Sequence, residues 1–174
     1  PSFFLLLLLL LLLLLQSFGA PVVRVNDTLL VYASASTETH GQVGPGWSSL
    51  LTFALRLDGF ARLQGTSSSA AEPGWARLTT VRWTAGELFA NVYAPAAADM
   101  VKVQICDADG NPVDGYTLAD AQPLPPNALA APVQWRTGRT MAALAGHPVT
   151  IELFIFGDAS VYALRGAFEP LADC

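Results

Sequence analysis

The sequence predicts an all-β protein built as an antiparallel β-sandwich. Three observations carry this. After residue 20 no stretch sustains the 3.6-residue apolar period of a helix. Apolar and polar residues alternate instead in short runs, as in strands with one buried face. Gly, Pro, Asn and Asp interrupt those runs at a spacing of about 8–12 residues, which fits a sandwich. Strands that follow one another without helices between them exclude a parallel βαβ sheet.

The elements follow in order. TLLVYAS (28–34) and SLLTFALRL (49–57) read as strands, then FARLQ (60–64). GTSSSAAEPG (65–74) is a polar loop of small residues. WARLTTVRW (75–83) alternates, with Ala76, Leu78 and Thr80 on one side, and GELFANVYA (86–94) groups Leu88, Ala90 and Val92. MVKVQICDADG (100–110) is the clearest strand: Val101, Val103 and Ile105 face one way, Lys102, Gln104 and Cys106 the other. It runs into Asp109-Gly110, a strong turn signal. PVQWR (132–136), HPVTIELFIFG (147–157) and SVYALRGAF (160–168) complete the set. RTMAALAG (139–146) is the nearest approach to a helix, one or two turns ended by Gly146. No internal repeat stands out.

Composition narrows function. The chain has 174 residues, enough for one domain of ordinary size, with 52% hydrophobic and 13% charged residues. Its net charge is −5 and its single lysine is Lys102. Nucleic-acid binding needs clustered Lys and Arg to neutralise phosphates, and docking on anionic lipid needs the same; neither cluster is present. Two cysteines, Cys106 and Cys174, cannot make a disulfide framework. One bridge between them would have to fix the chain's last residue, and chain ends are usually poorly ordered.

Residues 1–20 carry an unbroken apolar run from Phe3 to Leu15. It is short of the roughly 20 residues that span a bilayer, and it fits the core of a secretory leader. Ser17 and Gly19 supply small residues at a cleavage site. The expected location is therefore secreted or extracellular. The missing initiating Met and basic leader end keep a truncated start, or an artefact of gene assembly, as the competing readings.

LRLDGFARL, GWARLTTVRWTAGELFANVYA, VKVQICDADGNPVDGYTLADAQPL, VQWRTG and LAGHPVTIELFIFGDASVYALRG follow one another in an order that carries a resemblance. The residues that bear it are Arg56, Asp58, Gly59 and Phe60, then Asp107, Asp109, Gly110, Pro112, Gly115 and Tyr116, then Trp135, then Leu144, Ala145, Gly146, Pro148 and Val149, and last Tyr162. Over about residues 25–168 the chain resembles the C-terminal β-sandwich, with the last propeller strands, of five-bladed β-propeller proteins of the glycoside hydrolase family 32/43-like kind. The resemblance implies a jelly-roll, concanavalin-like sandwich at 58–170, preceded by a remnant of the last propeller blade at 21–57. The partner implied is the missing N-terminal propeller unit. In such enzymes the earlier blades carry the catalytic carboxylates, so no catalytic residue transfers here. Arg56, Asp58 and Gly59 then form a domain junction, where Asp58-Gly59 turns the chain from blade into sandwich rather than closing a hairpin.

The remaining chemistry is sparse. Glycoside hydrolysis needs two carboxyl groups about 5–10 Å apart. Several of the acids here (Asp58, Asp107, Asp109, Asp114, Asp158) lie in turns, where Asp caps local amides. Asp107 to Asn111 resembles the start of a calcium loop but lacks its distal bidentate Glu, so a hairpin turn is the expected reading. No nucleophile elbow accompanies His40 and His147, and two His and two Cys at these spacings give no zinc site. No metal or cofactor is expected. Sugars stack on exposed aromatic rings. Trp47 and Trp75, beside glycines, are the binding candidates, with His40 at the end of the blade strands. Core packing is the competing role for each, and the expected one for Trp135. Asn26-Asp27-Thr28 is a glycosylation sequon. The expected function is a non-catalytic accessory β-sandwich that braces a catalytic propeller or contributes carbohydrate contact. The alternatives are a stand-alone lectin-like binding module and an unrelated hydrolase.

Overall fold

The computed structural model describes residues 22–36, 48–65 and 72–171. The chain divides into two compact units at Gly59/Phe60.

The first unit is a three-stranded antiparallel sheet in the order β1-β2-β3, formed by β1 (Val22–Val25), β2 (Thr28–Ser36) and β3 (Ser48–Arg56). A tight turn at Asn26-Asp27 joins β1 to β2, and Asn26 takes a left-handed φ of 53° there, a conformation Asn tolerates better than most residues. None of the unit's residues whose burial is described is buried. β3 ends at Arg56, where the Gly59 amide donates to the Arg56 carbonyl at 2.7 Å and Asp58 adopts φ 62°. A Cβ on Gly59 would meet that carbonyl oxygen at 2.5 Å, so glycine is required.

The second unit holds seven strands and the core. The strands are β4 (Leu63–Gln64), β5 (Gly74–Arg77), β6 (Val81–Tyr93), β7 (Met100–Cys106), β8 (Asn127–Pro132), β9 (Pro148–Phe156) and β10 (Ser160–Pro170). One layer is β4-β10-β6-β8, the other β5-β9-β7, and all pairs are antiparallel. The long β6 joins both: it pairs with β10 along its whole length, from Val81↔Pro170 to Tyr93↔Ser160, while on its other edge the first residues pair with β9 through Val81↔Val149 and the later ones with β8. Register shifts around Ala167, and Gly86 at φ 70°, lie between the part of β6 beside β9 and the part beside β8.

The two layers face each other across one core. Leu88, Ala90 and Val92 of β6 meet Val101, Val103 and Ile105 of β7 and Ile151, Leu153 and Ile155 of β9. Fully burying a side chain such as Leu88 or Ile105 contributes about 1.5–3 kcal/mol. Trp83 and Trp135 are wholly inside. The Trp135 Nε1 donates to the Val103 carbonyl, and its ring meets Tyr116 edge-on at 4.9 Å. Gly166 lies against Trp83 so closely that a Cβ there would sit 2.0 Å from the ring.

The architecture is the all-β, antiparallel, sandwich-like one expected, and several boundaries differ. β4 covers only the end of FARLQ and pairs with β10, whereas β3 pairs with β2, so Asp58-Gly59 closes no hairpin between β3 and β4. WARLTTVRW is interrupted at 78–80, where the register along β9 slips between Arg77↔Glu152 and Val81↔Val149. VRW then continues into GELFANVY as one strand. The strand expected at 132–136 lies instead at 127–132, because Pro132 ends its pairing with Phe89, and Trp135 keeps a single bridge to Ala121. The helical stretch is a short 3-10 turn, Met141–Leu144.

Candidate functional site

The chemistry-bearing side chains of the second unit gather on the outer face of β5-β9-β7. Strand alternation sends Ala76, Leu153 and Val103 inward. Their neighbours therefore line the opposite face in cross-strand rows. One row is Trp75–Phe154–Lys102 and the next is Arg77–Glu152–Gln104. Thr150 and Cys106 follow, with Thr150 hydrogen-bonded to Thr80 at 2.7 Å.

Glu152 organises the second row. Its Oε1 accepts from Arg77 Nε at 2.7 Å and from Arg77 Nη2 at 2.6 Å. Its Oε2 accepts from Gln104 Nε2 at 2.8 Å, and the Cys106 thiol also hydrogen-bonds to the carboxylate. Gln104 is fixed from behind, since its Oε1 accepts from the Leu118 amide at 2.7 Å. Burial pushes the Glu152 carboxyl upward, but the bonds from Arg77, Gln104 and Cys106 and the Arg77 charge outweigh it and hold it below the usual carboxylate range. Burial and then the Glu152 charge push the Cys106 thiol up.

Above this buried carboxylate two groups remain open. The Trp75 ring is 56% exposed, and the Arg77 guanidinium lies 5.4 Å from its centroid. Arg77 also reaches the loop after β7, where Gly110 at φ 87° leaves room for Nη1; a Cβ there would stand 3.1 Å away. In that loop Asp107 Oδ1 accepts from the Asp109 and Asn111 amides. The bonds from Asn111 foremost hold the Asp107 carboxyl below its ordinary value. The segment is thus a turn between paired Cys106 and Pro112.

The carboxylate at the centre of this face is held by its neighbours rather than poised for proton transfer. Glu152 is ionised at neutral pH, with both oxygens engaged, so it has no proton to give and little basicity to offer. Among the described residues no group of three or more His, Cys, Asp or Glu is placed to hold a metal. Elsewhere in this unit an apolar cleft of about 300 Å³ opens beside Leu63, Leu78, Leu153 and Leu164.

Of the residues singled out from sequence, Trp75 lies on this face. Trp47 and His40 lie outside the described residues, as does Cys174. Asn26 is exposed on its turn, and Arg56, Asp58 and Gly59 close the first unit. His147 is exposed, and its carbonyl accepts from the Trp83 amide. Sequence reading missed Arg77, Gln104 and Glu152. A signal was available, because Glu152 is the single charged residue in the otherwise apolar run PVTIELFIF. Among the described residues no helix is long and apolar enough to cross a membrane. No family model, curated protein or solved structure matches the chain.

Proposed function

We propose that the second unit is a non-catalytic carbohydrate-binding β-sandwich, an accessory module of a secreted glycoside-hydrolase-like protein. The observation that carries the reading is Trp75. A large ring lies open on the outer sheet face, braced by the Arg77 guanidinium and flanked by fixed polar groups. Aromatic platforms of this kind take the apolar face of a sugar, and hydrogen-bonding neighbours orient its hydroxyls. Arg77 supplies exposed donors, and the buried Glu152, itself bonded by Gln104, holds it in place.

A bracing role is the second reading, and the first unit favours it. Its three strands bury none of the residues described, and Val22, Val23, Val25 and Leu50 are exposed. A three-stranded sheet needs a covered hydrophobic face for independent stability, and a propeller unit packed on it would supply that cover. A glycan array probed with the full chain separates the readings. Binding that disappears in Trp75→Ala supports the carbohydrate face, and silence across the array favours the brace.

A further inference from the structure

We infer that the sugar taken by this face is acidic, a uronic-acid-containing oligosaccharide, with Trp75 as platform and Lys102 as the carboxylate-binding residue. The inference rests on the carbohydrate reading above and names its ligand class. Trp75, Phe154 and Lys102 are direct cross-strand neighbours in one row over β5, β9 and β7. Two inter-strand spacings separate the first from the last, roughly 10 Å, a span that a disaccharide lying across the strands bridges. Phe154 between them is half-buried and continues the apolar floor.

Charge decides the class. Among the described residues no carboxylate pairs with Lys102, while the other cation of the face, Arg77, is neutralised by Glu152. Asp99, just before β7, has its oxygens occupied by the amides of Ala96 and Asp158. The face therefore offers one uncompensated positive charge at the end of an aromatic row. A neutral sugar leaves that charge unused, whereas a uronate on the neighbouring residue of the glycan reaches it. The chain's net charge of −5 does not oppose this at contact range, because the Debye length in physiological salt is about 8 Å.

Affinity electrophoresis of the full chain tests it, in gels containing polygalacturonate or neutral hydroxyethyl cellulose, with Lys102→Met and Trp75→Ala alongside. Polygalacturonate is expected to retard the chain more strongly than the neutral polymer. Lys102→Met is expected to weaken that binding about tenfold, the loss of one charge-assisted contact, with its retardation by the neutral polymer, measured against a polymer-free gel, unchanged. Trp75→Ala abolishes retardation in both gels. Equal retardation by both polymers, or polygalacturonate binding that survives Lys102→Met, overturns the acidic-sugar inference and leaves the Trp75 platform standing. Retardation by neither polymer, or retardation indifferent to Trp75→Ala, overturns the carbohydrate reading and the inference with it.

Discussion

Arg77 and Glu152 face each other across β5 and β9, with Arg77 Nε donating to Glu152 Oε1 at 2.7 Å. The pair is unequal: the Glu152 side chain is 4% exposed and that of Arg77 45%. Removing the cation leaves a buried charge without its strongest partner, whereas removing the anion leaves a guanidinium that can turn to water. Arg77→Met is expected to cost about 3 kcal/mol, and Glu152→Gln about 1 kcal/mol. Urea denaturation compares them, and equal costs would show that the buried charge does not set the asymmetry.

Acid sensitivity follows from the same carboxylate. Its folded pKa lies below the unfolded value, so the folded state holds fewer protons. The stability it contributes is full above about pH 4.3, the unfolded carboxylate value, and is lost as pH falls through the lower folded value. Asp107 acts with the same sign. Urea midpoints are therefore expected to fall below about pH 4, and more shallowly in Glu152→Gln. Parallel acid limbs for the two proteins would count against the assignment.

The Cys106 thiol is expected to be inert in the folded chain. It is fully buried, and burial and the Glu152 charge both disfavour its thiolate, the reactive form. In a Cys174→Ser background an aromatic disulfide reagent is expected to titrate no thiol at pH 8 until urea unfolds the protein. Rapid reaction before unfolding would contradict that burial.

Gly166 and Gly86 separate crowding from backbone strain. A Cβ at Gly166 would enter the Trp83 ring, while at Gly86 nothing lies within 4 Å and only φ 70° resists a side chain. Gly166→Ala is expected to cost about 1–3 kcal/mol by displacing the ring and to red-shift tryptophan fluorescence. Gly86→Ala is expected to cost about 1 kcal/mol with the emission unchanged.

The two units are expected to differ in resistance. Every buried hydrophobic residue described belongs to the second, from Trp83 onward. Limited proteolysis is expected to cut within 22–59 before it cuts within 100–156, and residues 60–171 alone to unfold cooperatively. Cleavage in the reverse order would show that the three-stranded sheet draws its stability from elsewhere.

Much of the fold was legible in local pattern. Val101, Val103 and Ile105 alternate with Lys102, Gln104 and Cys106, and the first three are the ones buried in the core. The joining of the two layers by β6 was not legible, because it depends on one edge of that strand meeting β9 at Val81 and β8 at Val92. Trp75 was visible as a ring beside a glycine and is exposed, and Trp135, expected in the core, is sealed inside.

Strand periodicity is local, a matter of which neighbouring residues share a face, so composition and alternation were enough to give the class of fold and most of its strands. The face around Trp75 and Glu152 is not local. Glu152 meets an arginine 75 positions away and a glutamine 48 positions away, brought together by hydrogen-bonding between strands that no short window of sequence can specify. Burial of that one carboxylate under its partners, and the open ring of Trp75 beside it, come from the stacking of β5, β9 and β7 into one sheet.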